Sequence, residues 1–326
     1  MANQSGSLTD TLRRVIVLGT GGTIAGRAAR PGDNIGYSAA EVGVAELLAG
    51  IDAPAGVTLH AEQVAQVDSK DMEFTIWLAL ALRCEHWLAM DDVAGVVITH
   101  GTDTLEETAF FLQSVMAPGK PVVLTCAMRP ASALSPDGPQ NVRDAIVVAA
   151  TPGARGVVAV CAGTIHTALD VRKVHPYRLD PFSSGDAGAL GYVEEGLVRP
   201  VRDWPGGEPT VVLKSPIGAP PRVEIVTSHA GARGAVVDAL VRERQAGAPD
   251  AVQGLVLAAT GNGTLHHDLE AAAMRAQEAG IVVLRATRCG DGRILPKPSD
   301  ALRDAGGLSP VKARISLMLE LLGTVR

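Results

Sequence analysis

Thr99-His100-Gly101-Thr102-Asp103-Thr104-Leu105-Glu106-Glu107-Thr108 is the stretch whose reading decides the fold. It follows a β-branched apolar run, Val96-Val97-Ile98, and opens an amphipathic one, so it predicts a strand, a tight turn and a helix start. Ligands bind at such junctions in open α/β sheets, because strand ends and helix N-termini leave backbone N–H groups pointing into a shared crevice. Thr104 with Glu107 fits a capping box, in which hydroxyl and carboxylate satisfy orphan N–H groups. One helix needs one cap, which leaves Thr102 and Asp103 without a structural task.

The same alternation extends in both directions. Val15-Ile16-Val17-Leu18, Val57 to Val64, Pro121 to Met128 and Gly156 to Val160 predict strands, with helices between them. Those helices include one capped by Ser38 and Glu41 that runs through Leu48, one opening at Asp68-Ser69-Lys70-Asp71-Met72, and one starting at Pro139. Arg199 to Pro221 carries six prolines and paired glycines, as a linker does. Beyond it lie strands near Val223 to Val226, Gly254 to Ala258 and Ile281 to Leu284, helices near Ala235 to Arg244 and Leu269 to Ala279, and a last helix started by Ser309-Pro310. The fold expected is α/β, with two unequal doubly wound domains, the larger N-terminal (residues 1–199) and the smaller C-terminal (222–326), joined by residues 200–221.

A length of 326 residues suits two cores, and 47% hydrophobic residues with 36 Gly and 20 Pro allow large cores with many sharp turns. The formal charge of −6 argues against nucleic acid or an anionic membrane as partner and favours a small molecule. Cys84, Cys126, Cys161 and Cys289 are widely spaced, so neither a zinc site nor a disulfide scaffold is expected, and Cys126 and Cys161 are read as core thiols. The polar N-terminus carries no signal-peptide pattern and no run is long enough to span a bilayer, which gives a cytoplasmic expectation for the chain as it stands.

Gly19-Thr20-Gly21-Gly22-Thr23-Ile24-Ala25-Gly26 follows the first strand. A dinucleotide fingerprint would need a third glycine where Ile24 stands, and no Gly-Lys-Ser/Thr follows for a phosphate loop. Gly26 to Gly36, rich in Gly, Arg, Pro, Asp and Asn, predicts a mobile surface loop that ends near Tyr37. Ser69 is open to two readings, an N-cap or a seat for a substrate carboxylate. The Asp170-Val171-Arg172-Lys173 run puts charge beyond an apolar segment. Two threonines at strand ends, an Asp beside one of them and a downstream Lys permit acyl transfer by an activated hydroxyl.

Gly19 to Gly26, Val97 to Thr108, Ala127-Met128-Arg129-Pro130 and Asp137-Gly138-Pro139 together resemble the bacterial-type L-asparaginase family, and the likeness runs from the first strand to Lys312-Ala313-Arg314. The resemblance implies hydrolysis of the side-chain amide of L-asparagine to L-aspartate and ammonia, with no metal and no organic cofactor. By position it implies Thr23 as nucleophile, Tyr37 as its assistant, and Thr102, Asp103 and Lys173 as a Thr-Lys-Asp set. It further implies Ser69 and Asp103 on the substrate's α-carboxylate and α-amino groups, Ala127 with its carbonyl near the scissile amide, and Asn262 donated from a neighbouring subunit in a homotetramer built as a dimer of dimers.

Two departures stand out. Lys70 occupies a position beside the carboxylate where many members carry an uncharged residue, and Gly292 to Asp300 does not reproduce the family's segment in that region. An acyl-enzyme on Thr23 and a direct attack oriented by Thr102 both stay open, with Thr23 preferred. The rival readings are a broader glutaminase-asparaginase and an amino-acid-binding protein without turnover.

Overall fold

A computed structural model describes residues 12–30, 32–213 and 218–325. The chain divides into two compact units. One gathers the residues up to Ala109 with Met116–Ser184 and Gly188–Gly207, and the other gathers Phe110–Val115, Gly185–Ala187 and everything from Glu208 onward.

In chain order the N-terminal unit carries β1 (Arg13–Gly21), β2 (Arg27–Ala28), β3 (Tyr37–Ser38), α1 (Val44–Leu47), β4 (Val57–Val67), α2 (Phe74–Leu88), β5 (Val93–Thr99) and the two ends of α3 (Leu105–Met116), whose Phe110–Val115 group with the other unit. Then follow β6 (Pro121–Thr125), α4 (Gly138–Ala150), β7 (Gly156–Cys161), β8 (Thr164–Thr167), β9 (Arg172–Lys173), β10 (Phe182–Ser183), β11 (Gly191–Glu194) and β12 (Leu197–Pro200). Eight strands form one sheet in the order β12-β11-β8-β7-β6-β5-β1-β4. Strands β4 to β7 with β1 are parallel, while β8, β11 and β12 continue the sheet antiparallel. The larger domain is therefore mixed, a detail that strand-helix alternation does not predict for hairpin-linked edge strands.

Strands β5, β6 and β7 are buried along their whole length and β1 from Val15 onward, as strands covered on both faces must be. Val15, Val17, Val97, Val123, Val158 and Val160 meet Val142, Ala145, Ile146 and Ala149 of α4 in one apolar cluster. Helix α2 packs on β4 and β5 with Trp77, Leu80, Ala81, Cys84 and Trp87 buried. Registers Gly19↔Thr99 and Thr99↔Thr125 bring the carboxyl ends of β1, β5 and β6 level, which sets the floor of a crevice.

Two helix starts differ from the sequence reading. Ser38 lies in β3, and the N–H groups of Glu41 and Val42 both donate to the Ala25 carbonyl at 2.8 and 2.9 Å, so the helix begins only at Val44. Ser69 opens a separate 3-10 turn, Ser69–Asp71, capped by the Asp68 carboxylate, and α2 starts beyond it. The segment expected as a loop before Tyr37 is closed by the antiparallel pairing of β2 with β3.

The C-terminal unit holds β13 (Val211–Val212), β14 (Val223–Thr227), α5 (Ala235–Gln245), β15 (Gly254–Ala259), α6 (His267–Glu278), β16 (Val282–Thr287), β17 (Arg303–Asp304), α7 (Pro310–Leu322) and β18 (Thr324–Val325). Its sheet β14-β15-β16-β17 is parallel throughout. Leu255 and Leu257 join Val237 and Val241 of α5 and Leu269, Ala272 and Ala273 of α6 in one core. On the opposite side α7 lies against β15, where a Cβ on Gly254 would meet Leu317 Cδ2 at 2.8 Å. Ser309 caps α7 with Pro310 in the first turn, as its sequence dictates.

Candidate active site

Strand β1 runs out through Gly21 (φ +101°) and Gly22 (φ +81°), conformations that side chains rarely adopt, and Thr23–Ala25 then closes a 3-10 turn. The Gly22 N–H donates to the Val67 carbonyl at 2.9 Å, which fixes this turn to the end of β4. Thr23 is buried, and its hydroxyl lies 2.6 Å from the Tyr37 hydroxyl, either one being able to donate. The Tyr37 ring lies over Gly26, where a Cβ would meet its Cδ2 at 2.8 Å. The hairpin of β2 and β3 therefore delivers the phenol to the threonine.

The second turn, after β5, supplies the charges. Lys173 Nζ donates to Thr102 Oγ1 at 2.8 Å and to Asp103 Oδ1 at 2.6 Å, so the three residues form one contiguous set. Thr102 is buried, whereas the Asp103 carboxylate faces solvent on one side. The two turns touch at their glycines, Gly22 against Gly101, so Thr23 and Thr102, each one residue further on, share one crevice.

His100, which sequence reasoning left without a role, fixes this second turn from behind. It is fully buried, its Nδ1 lies 2.7 Å from the Gly101 carbonyl, and its Nε2 lies 2.9 Å from Thr108 Oγ1. Trp77 Nε1 donates to the same Thr108 oxygen at 2.8 Å. Burial pushes the imidazole pKa down to about 4, against a smaller upward pull from the Gly101 carbonyl, so the ring is neutral. A neutral ring that meets a carbonyl through Nδ1 carries its proton there, and Nε2 accepts from Thr108.

Ser69 is buried beside this turn and accepts the Asp103 N–H at 3.2 Å, while the Ser69 carbonyl accepts the Thr104 hydroxyl at 2.7 Å. Because Asp68 does the capping, the Ser69 hydroxyl is turned toward Asp103 rather than toward a helix end. Lys70 is exposed and ion-paired with Asp71. The signal that could have separated the two roles is the Asp68-Ser69 pair itself, in which an equally good capping residue stands immediately before the serine.

Ala127 is buried in the turn that leaves β6. Asn262 belongs to the C-terminal unit. Its side chain brackets one residue, with Oδ1 accepting the Leu295 N–H at 2.7 Å and Nδ2 donating to the Leu295 carbonyl at 3.0 Å. Arg285 donates to the Gly263 carbonyl and Thr287 to that of Gly261, so the loop is held on both sides of Asn262.

The profile "Asparaginase, N-terminal" matches residues 14–204, and "Glutaminase/Asparaginase C-terminal domain" matches residues 222–325. The chain belongs to the asparaginase family. Relatives within the asparaginases include L-asparaginase 2 of Bacillus subtilis (strain 168), 35% identical over 99% of this chain and 86% of that one, and L-asparaginase 2 of Escherichia coli (strain K12), 35% identical over 96% and 90%. Glutaminase-asparaginase of Pseudomonas fluorescens biotype A is 34% identical over 96% and 87%. Among solved asparaginase structures, a probable cytoplasmic L-asparaginase from Campylobacter jejuni superposes with a TM-score of 0.85 at 34% identity, over 95% of both chains. The two-domain α/β fold of this asparaginase-family chain, a larger mixed-sheet domain and a smaller parallel one, is the fold of that neighbour.

Proposed function

We propose that this asparaginase-family chain hydrolyses L-asparagine to L-aspartate and ammonia, with Thr23 as nucleophile. The observation that carries the reading is the pair of hydroxyl constellations, Thr23 with Tyr37 at 2.6 Å and Thr102 with Lys173 at 2.8 Å, on two turns that touch. A hydroxyl is a weak nucleophile until a neighbour accepts its proton, and each threonine here has a partner within hydrogen-bond reach.

In this scheme the Thr23 oxygen forms a bond to the side-chain amide carbon as its proton passes to the Tyr37 oxygen, and the phenol's own proton passes on to the amide nitrogen. Collapse of the tetrahedral species breaks the C–N bond, and the nitrogen leaves as ammonia after taking a proton. Water held by Thr102 then adds to the acyl carbon. One of its protons passes through Thr102 to the Lys173–Asp103 pair and the other, by way of Tyr37, to the Thr23 oxygen as the acyl C–O bond breaks, so that L-aspartate leaves as the carboxylate with Thr23 restored. Ser69 receives the substrate α-carboxylate and Asp103 the α-ammonium, opposite charges that suit a zwitterion. Lys70 stands next to Ser69 and adds positive charge on the carboxylate side. The Ala127 carbonyl accepts an N–H of the scissile amide.

Asn262 serves the site of a neighbouring subunit in a homotetramer of two tight dimers. Sedimentation velocity reads this directly, and a monomer retaining full activity overturns it. L-Glutamine is the second substrate to test, because relatives of similar identity bear the name glutaminase-asparaginase. Ammonia release from both amides is the deciding measurement. Wild type is expected to act on L-asparagine, Thr23→Ala and Thr102→Val to lose about 100-fold or more in kcat, and a Thr23→Ala protein with near-normal turnover removes the nucleophile assignment.

A further inference from the structure

The turn carrying Ala127 is gripped by one helical turn of α4. Asn141, buried on that helix, donates from Nδ2 to the Cys126 carbonyl at 2.9 Å, and its Oδ1 accepts the Ala162 N–H at 3.0 Å. One turn earlier the Asp137 carboxylate accepts the Met128 N–H through Oδ2 and the Arg129 N–H through Oδ1, both at 2.9 Å. Asn141 Nδ2 also lies 3.3 Å from Asp137 Oδ2, which locks the two side chains to each other. Thr125 Oγ1 donates to the Asn141 backbone carbonyl at 3.2 Å, so the end of β6 is tied to the same point.

The peptide groups flanking Ala127 are therefore fixed on both sides. Its own carbonyl, by contrast, accepts from no donor among the described residues. Gly138, at the start of α4, packs against Ala127 and Ile24: a Cβ there would stand 3.5 Å from the Ala127 Cβ and 3.0 Å from Ile24 Cγ1. A buried carbonyl left without a partner costs free energy unless a ligand supplies a donor. A primary amide has such N–H donors, whereas an ester has none on its leaving oxygen.

We propose that Asn141 and Asp137 are positioning residues that aim the Ala127 carbonyl at the leaving nitrogen of a primary amide substrate. The inference rests on the amidohydrolase reading above and adds to it a physical basis for choosing amides over esters. Neither side chain touches the substrate. Both act by holding a backbone acceptor in the direction that the departing nitrogen needs, and a small misalignment at such a contact is costly.

The test compares L-asparagine with the β-methyl ester of L-aspartate in wild type, Asn141→Asp and Asp137→Asn. Asn141→Asp keeps the shape and removes the donor to Cys126, and Asp137→Asn leaves one oxygen where two N–H groups need acceptors. In both variants kcat for asparagine is expected to fall on the order of 10-fold or more, with KM changed less than about 3-fold and ester turnover nearly retained. Thermal unfolding is measured alongside, and if Asn141→Asp does not fold, the half-buried Asp137→Asn carries the comparison. An equal loss on amide and ester, or unchanged asparagine turnover in a folded variant, overturns the inference while leaving the amidohydrolase reading intact. A wild-type protein that hydrolyses the ester but releases no ammonia from asparagine overturns both.

Discussion

Gly22 and Gly101 lie backbone against backbone: a Cβ on Gly22 would stand 2.3 Å from the Gly101 Cα and 2.4 Å from its N. Neither turn can carry a side chain there, and the contact is what brings the loop after β1 and the loop after β5 into a single crevice. A Cβ on Gly101 would in turn meet Ser69 Oγ at 2.4 Å, so the third turn of the site closes on the same point. Three separate segments share one glycine-lined junction.

Gly22→Ala is therefore expected to be severe. It asks an alanine to hold φ near +81° and to occupy space already filled by backbone, which cannot rotate aside as a side-chain tip can. A stability loss on the order of 3 kcal/mol, read by denaturant unfolding, and an activity loss of about 100-fold should appear together. A folded Gly22→Ala protein with ordinary turnover would show that the two turns need not touch.

His100 predicts a pH dependence of stability. Its folded-state pKa is depressed to about 4 by burial, below the value near 6.5 of an unfolded histidine. Above the unfolded value both states are neutral and the group costs nothing. As pH falls from about 6.5 toward 4, the unfolded chain takes up the proton first, so stability is lost across that window, by about 3 kcal/mol in all. His100→Asn should show a flatter profile than wild type between these limits in unfolding experiments, since other titrating groups are common to both. Parallel profiles would mean that the imidazole takes up its proton as readily in the folded protein as in the unfolded chain.

Much of this was legible in the sequence for a plain reason: each site threonine follows an apolar β-branched run and precedes a turn, and a strand end is visible in one dimension. The pairing of Lys173 with Thr102 came only from the family resemblance and not from residue pattern, because 71 residues separate them and the placement of β9 brings them together. His100 was passed over since a lone histidine in a strand-end motif carries no sign of burial. The Ser38 helix start failed because long-range acceptors won: the Ala25 carbonyl takes the N–H groups that a local cap would have used. The antiparallel edge of the large sheet was invisible for a related reason, as short strands after β7 lack the long apolar run of a strand buried on both faces.

Asn262 yields a prediction that separates two tasks. Its amide already holds both backbone groups of Leu295, an exposed residue, so Asn262→Ala should cost only about 1 kcal/mol and speed amide hydrogen exchange around residues 292–300. If Asn262 also serves a neighbouring site, KM for asparagine rises beyond what that local loosening accounts for. Asn262→Asp keeps the acceptor for the Leu295 N–H, so a variant with protected exchange but raised KM would assign the donor end to the substrate side. Protected exchange with unchanged KM would confine the residue to its own loop.

The Thr102-Lys173-Asp103 set lends itself to a split between kcat and KM. Lys173 is mostly enclosed while its partner carboxylate is more than half exposed, with side-chain exposures of 17% and 56%, so the ion pair itself contributes little to stability. Asp103→Asn, which keeps size and removes charge, should therefore shift unfolding by less than about 1 kcal/mol. It should raise KM, since a carboxylate that receives the substrate ammonium acts on binding, and also lower kcat, since the same carboxylate ends the proton relay through Lys173. Lys173→Met removes the donor that meets the Thr102 hydroxyl at 2.8 Å, and its effect belongs in kcat, with a fall of about 100-fold or more. Steady-state ammonia release on both variants reads the two constants separately. Should Lys173→Met raise KM and leave kcat near wild type, the lysine would be an anchor for Asp103 and the proton would have to leave Thr102 by another route.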